Sequence, residues 1–225
     1  ARNFGHLTAG VAPGQGDDLM NRTVLLGLSL VAVLVLASTG SAYDRWQLDF
    51  EQGKPSIVVV RDALGKGTPF LYVPFKVTNN TGKERDLTLS LVAISDTVKS
   101  EDGVSKPITM RGGFDARAMK AIQTREKRKF LSMTQMQGKI GAGETKEGVA
   151  IFANPDAEMD RMELRVYGLV DPIDVVMGKR FYELKVLRLK YTRPGDEFGH
   201  VEDPFKFKER KWVIEGERRE LPSEK

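Results

Sequence analysis

Alternation of apolar and polar residues with a period of two is the pattern that most constrains how this chain can fold. It is clearest in "DLTLSLVAI", where Leu87, Leu89, Leu91 and Ala93 fall on one face of an extended strand. The same alternation appears in "RWQLDFE" and in "PFLYVPFKVTNN", which runs into an Asn- and Gly-rich turn. Alternating segments that follow one another through short turns predict antiparallel strands rather than βαβ units.

Two prolines restrict one of these strands. Pro69 and Pro74 both lie within "PFLYVPFKVTNN", and proline has no backbone N–H to donate to a neighbouring strand. This predicts a strand that lies at the edge of its sheet or is interrupted by a bulge.

About nine short strands are predicted along the chain. Besides those above, they are "SIVVVRDA", "FLSMTQMQGKI", "KEGVAIFA", "RMELRVYGLV", "RFYELKVLRLKYTR" and "RKWVIEGE". The only segment with helical character is "GGFDARAMKAIQTREKRKFL", in which Phe114, Ala118, Ala121, Ile122 and Arg125 fall along one side. We therefore expect a mainly all-β fold, an immunoglobulin-like antiparallel β-sandwich with one short helix or long loop inserted.

Two stretches carry a family resemblance. "VPFKVTNNTGKERDLTLSLVAISDT" has a strand, an Asn-Asn-Thr-Gly-Lys hairpin and an alternating strand, and "GAGETKEGVAIFANPD" has a Gly-x-Gly-Glu turn before a strand that ends in Phe. Together with "DRMELRVYGL" they resemble bacterial exported immunoglobulin-like domains of unknown function. The resemblance covers residues 46–170, implies the sandwich fold and implies no active site.

A long apolar run lies near the start of the chain. It follows Met20 and Arg22, extends from Val24 to Ala37, and is followed by small residues up to Ala42. A bilayer-spanning helix needs about 20 apolar residues, whereas the apolar part of a signal peptide needs about 7 to 15. The run therefore predicts a signal peptide that is cleaved after Ala42, where Gly40 and Ala42 supply the small side chains a signal peptidase accepts.

This prediction divides the chain. Residues 1–19 would be an upstream extension or a cloning-derived segment, and residues 20–42 the signal peptide. Residues 43–215 would form the sandwich domain, with a charged tail at 216–225. The protein would be exported to the periplasm or the extracellular space; the alternative is an anchor in the inner membrane formed by residues 24–42.

The composition excludes several chemistries. There is no cysteine, hence no disulfide, thiolate nucleophile or cysteine-bound zinc. The net charge is +4, and no nucleic-acid-binding motif accompanies it, so no nucleic-acid partner is expected. His200 is the one histidine of the predicted mature chain, and no G-x-S-x-G motif accompanies it, so we expect no catalytic residues and no bound cofactor.

Two patterns raise the possibility of a metal. Hard cations such as calcium prefer clustered oxygen ligands, which the segment "RPGDEFGHVEDP" offers without the spacing of an EF-hand. Its candidate ligands are Asp196, Glu197, His200, Glu202 and Asp203. A solvated loop, paired with neighbours such as Arg193 and Lys206, is the alternative.

The second pattern is a repeated M-x-x-M spacing, in the pairs Met133/Met136 and Met159/Met162. Thioethers select Cu(I), but residues i and i+3 of a strand point to opposite faces. Methionine also fills gaps in apolar cores, which is the alternative interpretation.

A basic segment is the best surface candidate. It is opposed only by Asp115 and Glu126, and its candidate partner-binding residues are Arg117, Lys120, Arg125, Lys127, Arg128 and Lys129. Such a face could bind an anionic polymer, lipid headgroups or an acidic partner, or could simply be a solvated helix face.

The sequence therefore predicts an exported, non-enzymatic β-sandwich with a binding or structural role in the bacterial cell envelope. Its partner would be an envelope protein or an anionic polymer, and membrane contact would come only from an uncleaved N-terminal segment. The alternative is a metal-dependent hydrolase or metal carrier that uses the 196–203 loop or the methionine pairs. The glycosylation motif at Asn79-Asn80-Thr81 is interpreted as turn chemistry.

Overall fold

The structure, a computed structural model, describes residues 45–101, 104–193 and 205–222. The predicted signal segment and the 196–203 loop lie outside these residues. Twelve strands and one helix occur in the described part: β1 Asp49–Gln52, β2 Ser56–Arg61, β3 Gly67–Thr78, β4 Arg85–Leu87, β5 Ser90–Glu101, β6 Val104–Arg111, α1 Ala116–Glu126, β7 Gly138–Ile140, β8 Thr145–Ala153, β9 Arg161–Tyr167, β10 Ile173–Val176, β11 Lys179–Thr192 and β12 Lys206–Glu220. No helix within these ranges is both long and apolar enough to span a membrane.

The strands form two main antiparallel sheets. In sheet one, β3 is flanked by β8 on one side and by β1 and β2, end to end, on the other. In sheet two, the order is β12, β11, β9, β5, β6, with β10 pairing the first part of β11. The short strands β4 and β7 make a small third sheet.

The main core lies between the two sheets. Sheet one contributes Leu71, Val73 and Phe75 of β3, and sheet two contributes inward residues of β5, β9 and β11, such as Leu164 and Leu189. All of these side chains are buried, and the fold is an all-β antiparallel sandwich, as the alternation predicts.

The segment "DLTLSLVAI" places its four alternating residues in this core, as predicted, but it is not one strand. β4 ends at Leu87 and β5 begins at Ser90. Between them the side chain of Gln137 takes the place of a neighbouring strand, because its amide accepts from Leu89 N at 3.0 Å and donates to Leu89 O at 2.8 Å.

A second apolar cluster covers the outer face of sheet one. Phe70 and Tyr72 of β3, with Val149 and Ile151 of β8, pack against α1 and Phe130. Strand β3 is therefore buried on both faces, which explains its nearly continuous apolar run.

The predicted helical side needs correction. The buried residues of α1 are Ala118, Met119 and Ile122. Phe114 precedes the helix and is 60% exposed, and Arg125 is exposed. The pattern was wrong at Phe114 because the helix begins only at Ala116, after the N-cap Asp115. It was wrong at Arg125 because this side chain reaches the Ile57 carbonyl at the edge of β2 instead of packing in the cluster.

The predicted edge position of β3 is also wrong, because β3 is the central strand of its sheet. The side of Pro69 that lacks an N–H faces β8, which has already ended at Ala153, the partner of Phe70. The corresponding side of Pro74 faces the break between β1 and β2, where the Pro74 carbonyl accepts from Gly53 N at 2.7 Å. Each missing donor thus lies where no neighbouring strand needs it.

The strand predicted for "FLSMTQMQGKI" is mostly a turn, and only Gly138–Ile140 forms a strand. Side chains close this turn: Ser132 N donates to Gln135 Oε1 at 2.9 Å, and Gln135 N donates to Ser132 Oγ at 3.3 Å. Local side-chain bonds of this kind compete with strand formation. At the other end of the chain, β12 continues through residues 216–220 of the predicted tail.

The turn interpretation of Asn79 is confirmed. Its side chain is buried, its amide donates to Lys83 O at 2.7 Å and Ile140 O at 2.8 Å, and its carbonyl oxygen accepts from Thr81. Both hydrogens of the amide are used within the fold.

Candidate functional site

Helix α1 lies on the outer face of sheet one and presents the predicted basic residues to solvent. The Asp115 side chain caps its N-terminus by accepting from Arg117 N and Ala118 N, both at 2.9 Å. Lys127 ends it in the left-handed conformation, with φ of 55°. All six basic residues that the sequence singles out are exposed.

The two acidic residues of the segment are both engaged in the fold. Asp115 serves as the N-cap, and Glu126 Oε1 accepts from the Tyr72 hydroxyl at 2.6 Å. Burial, followed by this hydrogen bond, raises the pKa of Tyr72 to about 12. The one ion pair that the described residues show between these two carboxylates and the six basic residues is a 4.0 Å contact between Asp115 and Arg117.

Two of the three arginines also have structural roles. Arg125 donates to the Ile57 carbonyl of β2 at 2.8 Å. Arg128 pairs with Glu147 of β8 at 2.7 Å and lies over the Phe130 ring, 5.3 Å from its centroid. These contacts attach the C-terminal end of the helix to sheet one.

The three lysines are different. Among the described residues, no ion pair or hydrogen bond involves the ammonium groups of Lys120, Lys127 or Lys129. They lie along a groove of about 490 Å³ between the helix and the segment that follows it. We name it the lysine groove; its described wall consists of Phe114, Ala116, Met119, Lys120, Gln123, Thr124, Lys127, Arg128 and Lys129.

The chemistry of this wall favours an anion. Four of its side chains are cations, and no carboxylate is among the described residues that form it. Phe114, 60% exposed at one end, adds an apolar surface. Sequence reasoning identified the cations but not Phe114, whose exposure depends on where the helix starts.

The candidate calcium ligands Asp196, Glu197, His200, Glu202 and Asp203 lie outside the described residues. Within the described ranges, no group of three or more His, Cys, Asp or Glu side chains could hold a metal ion. The four paired methionines, Met133, Met136, Met159 and Met162, are all buried in the core between the sheets. Met133 and Met136 lie on a turn, and Met159 precedes β9, so the argument from opposite strand faces applies to neither pair.

Sequence reasoning missed a network of charges on sheet two. Arg165 contacts Glu163 at 2.7 Å and Glu215 at 2.9 Å, and Lys190 contacts Glu209 at 3.1 Å. The hydrogen bond from Lys190 lowers the pKa of Glu209. A lowered pKa favours the ionised form of Glu209, which is the opposite of what a general acid requires.

We compared the chain with protein-family models, with curated proteins and with solved structures, and none of the three comparisons found a match.

Proposed function

We propose that this chain is an exported, non-enzymatic β-sandwich protein of the bacterial cell envelope that binds an anionic polymer through the lysine groove. One observation carries the proposal: Lys120, Lys127 and Lys129 line a groove whose described wall contains no carboxylate, while the nearby acids are held by the fold. Export is supported by the apolar run at Val24–Ala37 and the small residues after it.

A polymer suits this surface better than a single small anion. The lysines are exposed, and an exposed charge contact contributes only about 0.2 to 1 kcal/mol. A chain with repeated phosphate or carboxylate groups engages several cations at once, and each further contact is then intramolecular. Binding of this kind weakens as salt screens the charges.

The groove is tested with a triple variant, Lys120→Gln, Lys127→Gln and Lys129→Gln, titrated with inorganic polyphosphate and with poly-L-glutamate. We expect affinity for at least one of these polymers to fall by about tenfold or more, because three charge contacts are lost. The matched control, Lys66→Gln, Lys83→Gln and Lys211→Gln, changes the net charge equally at exposed sites elsewhere. Equal losses in both variants would show a dependence on net charge alone and would contradict the groove.

Export is tested separately by N-terminal sequencing of the protein recovered from cells. We expect a first residue at or next to Tyr43, in a soluble fraction. A chain that retains residues 24–42 and sediments with membranes would support the anchored alternative instead.

A further inference from the structure

Most strand edges of the described sandwich are protected against pairing with another chain. On β1, the outward carbonyl of Phe50 accepts from Arg210 at 2.8 Å. The outer side of β8 is bridged by Gly113 and by Leu131. In sheet two, β6 contains Pro107, and β12 is charged at most of its positions.

Strand β2 differs from these edges. Asp62 N, just after the strand, donates inward to Lys66 O at 3.0 Å, whereas the Ile57 carbonyl points outward to Arg125. In an antiparallel pair these directions alternate, so the N–H and C=O groups of Val59 and Arg61 also point outward. The register agrees with this assignment. Val59 lies opposite Pro69, which has no N–H, so an inward Val59 carbonyl would find no donor there.

Among the described residues, β2 pairs with no strand other than β3, and this edge carries exposed apolar side chains. Val59 is 54% exposed, and Leu64 at the tip of the following hairpin is 93% exposed. Arg61 does not cover the edge, because its guanidinium donates to Gly65 O at 3.1 Å within the hairpin. Backbone groups and apolar side chains are thus available at the same place.

We propose that the outer edge of β2 receives an extended acidic peptide of a partner protein as an added strand. The backbone groups of Val59 and Arg61 would pair with the peptide, and Val59 would contact an apolar residue at its centre. Acidic residues two positions to either side of that centre would lie opposite Arg61 and opposite Ile57, where Arg125 lies. This surface is separate from the lysine groove.

Charge favours such a peptide over a second copy of this chain. Two copies paired about Val59 would bring Arg61 of one copy opposite Ile57 of the other, where Arg125 lies. Like charges would then face each other twice in the dimer. The Asp62 carboxylate, just after β2, already accepts from Leu64 N and Lys66 N at 2.9 and 2.8 Å.

The probe is a fluorescein-labelled peptide, TETVTET, added to the purified full chain and followed by fluorescence polarisation. We expect saturable binding, and at least about tenfold weaker binding of TKTVTKT, because the two charges beside the central valine are reversed. Hydrogen exchange should show new protection of the Val59 and Arg61 amides. The amides of Val58 and Val60, which already pair with β3, should change little.

Two variants test the edge itself. Val59→Pro removes the outward N–H without removing an inward bond, and Val59→Lys keeps the N–H but adds a cation. Both should abolish binding of TETVTET, the first through the lost hydrogen bond and the second through the lost apolar contact. Val176→Lys, at a 40% exposed valine of β10, is the matched control and should bind normally, as should the triple lysine variant of the groove.

Four results would overturn the assignment: no binding of TETVTET, binding that survives both Val59 variants, protection that appears elsewhere, or loss of binding in the triple lysine variant alone. Analytical sedimentation of the chain without peptide measures its oligomeric state and so tests whether a second copy binds at this edge. A dimer that Val59→Lys dissociates would identify a second copy at this edge and would also overturn the peptide assignment.

Discussion

At the scale of single residues, the contact between Tyr72 and Glu126 is the best-defined polar interaction beneath the helix. Tyr72 is fully buried, and its hydroxyl donates to Glu126 at 2.6 Å. Burial is the main reason why its pKa rises from 10.0 to about 12, and the hydrogen bond to Glu126 is the next. The folded chain therefore holds this tyrosine in its neutral form.

This shift predicts how stability depends on pH. The unfolded chain releases the tyrosine proton near pH 10, whereas the folded chain keeps it until about pH 12. The stabilisation is thus fully present below pH 10 and is lost as pH rises toward 12. Urea unfolding from pH 9 to 11 should show a smaller decline for Tyr72→Phe than for the original chain. Tyr182→Phe is the control for loss of a phenol, and an unchanged decline in Tyr72→Phe would contradict the prediction.

The backbone at Gly168 requires glycine. Its φ is 83°, and an added Cβ would lie 1.9 Å from the Thr88 carbonyl oxygen. Gly168→Ala should lower the free energy of unfolding by about 3 kcal/mol or more, through positive φ and collision with rigid backbone. Gly178→Ala is the matched control, because its φ is 76° but nothing lies within 4 Å of the new Cβ. It should cost only about 1 to 2 kcal/mol, and equal losses would show that the clash is relieved.

At the scale of elements, α1 depends on its N-cap. Asp115→Ala removes the acceptor for two backbone N–H groups and should lower the free energy of unfolding by about 1 kcal/mol. Glu84→Ala, which removes an exposed ion pair with Lys139, is the control and should cost about 0.5 kcal/mol or less. Urea unfolding monitored by circular dichroism measures both. A smaller loss for Asp115→Ala than for Glu84→Ala would contradict the capping role.

The strands show which elements a sequence can and cannot predict. Alternation placed the Leu87–Ala93 residues in the core correctly, because side-chain direction in a strand depends only on sequence position. It could not place β3 at the centre of its sheet, since Pro69 and Pro74 are tolerated there only because β8 ends and β1 breaks beside them. Where β8 ends and where β1 breaks is determined by the neighbouring strands, so the pattern of β3 alone does not indicate it.

At the scale of the whole molecule, the same limit applies to the candidate site. The cluster of basic residues was visible in the sequence, but not which of them are available. Arg128 is held by Glu147, and Arg125 by the carbonyl of Ile57, both distant in sequence. Only these tertiary contacts distinguish the two arginines that bind other parts of the fold from the three lysines of the groove.

Two arginines connect the sheets near β1. Arg45, before β1, pairs with Glu183 of β11 at 2.6 Å and also donates to the Asp171 and Glu183 carbonyls. Arg210 of β12 donates to Phe50 O and Gln52 Oε1 of β1, both at 2.8 Å. The partner of Arg45, the Glu183 side chain, is only 11% exposed, so loss of Arg45 would leave a nearly buried charge. The two arginines should therefore differ in their effect on stability.

Arg45→Met should cost about 3 kcal/mol of unfolding free energy, because among the described residues Glu183 would keep only Arg218, 4.0 Å away, as a cationic partner. Arg210→Met should cost about 1 kcal/mol, since it removes hydrogen bonds without leaving a buried charge. Adding Glu183→Gln to Arg45→Met should recover part of the loss, because the uncompensated carboxylate is then gone. Urea unfolding at neutral pH measures all three variants. If the double variant is no more stable than Arg45→Met, the cost lies in lost packing and lost hydrogen bonds to the carbonyls, and the buried charge is not its source.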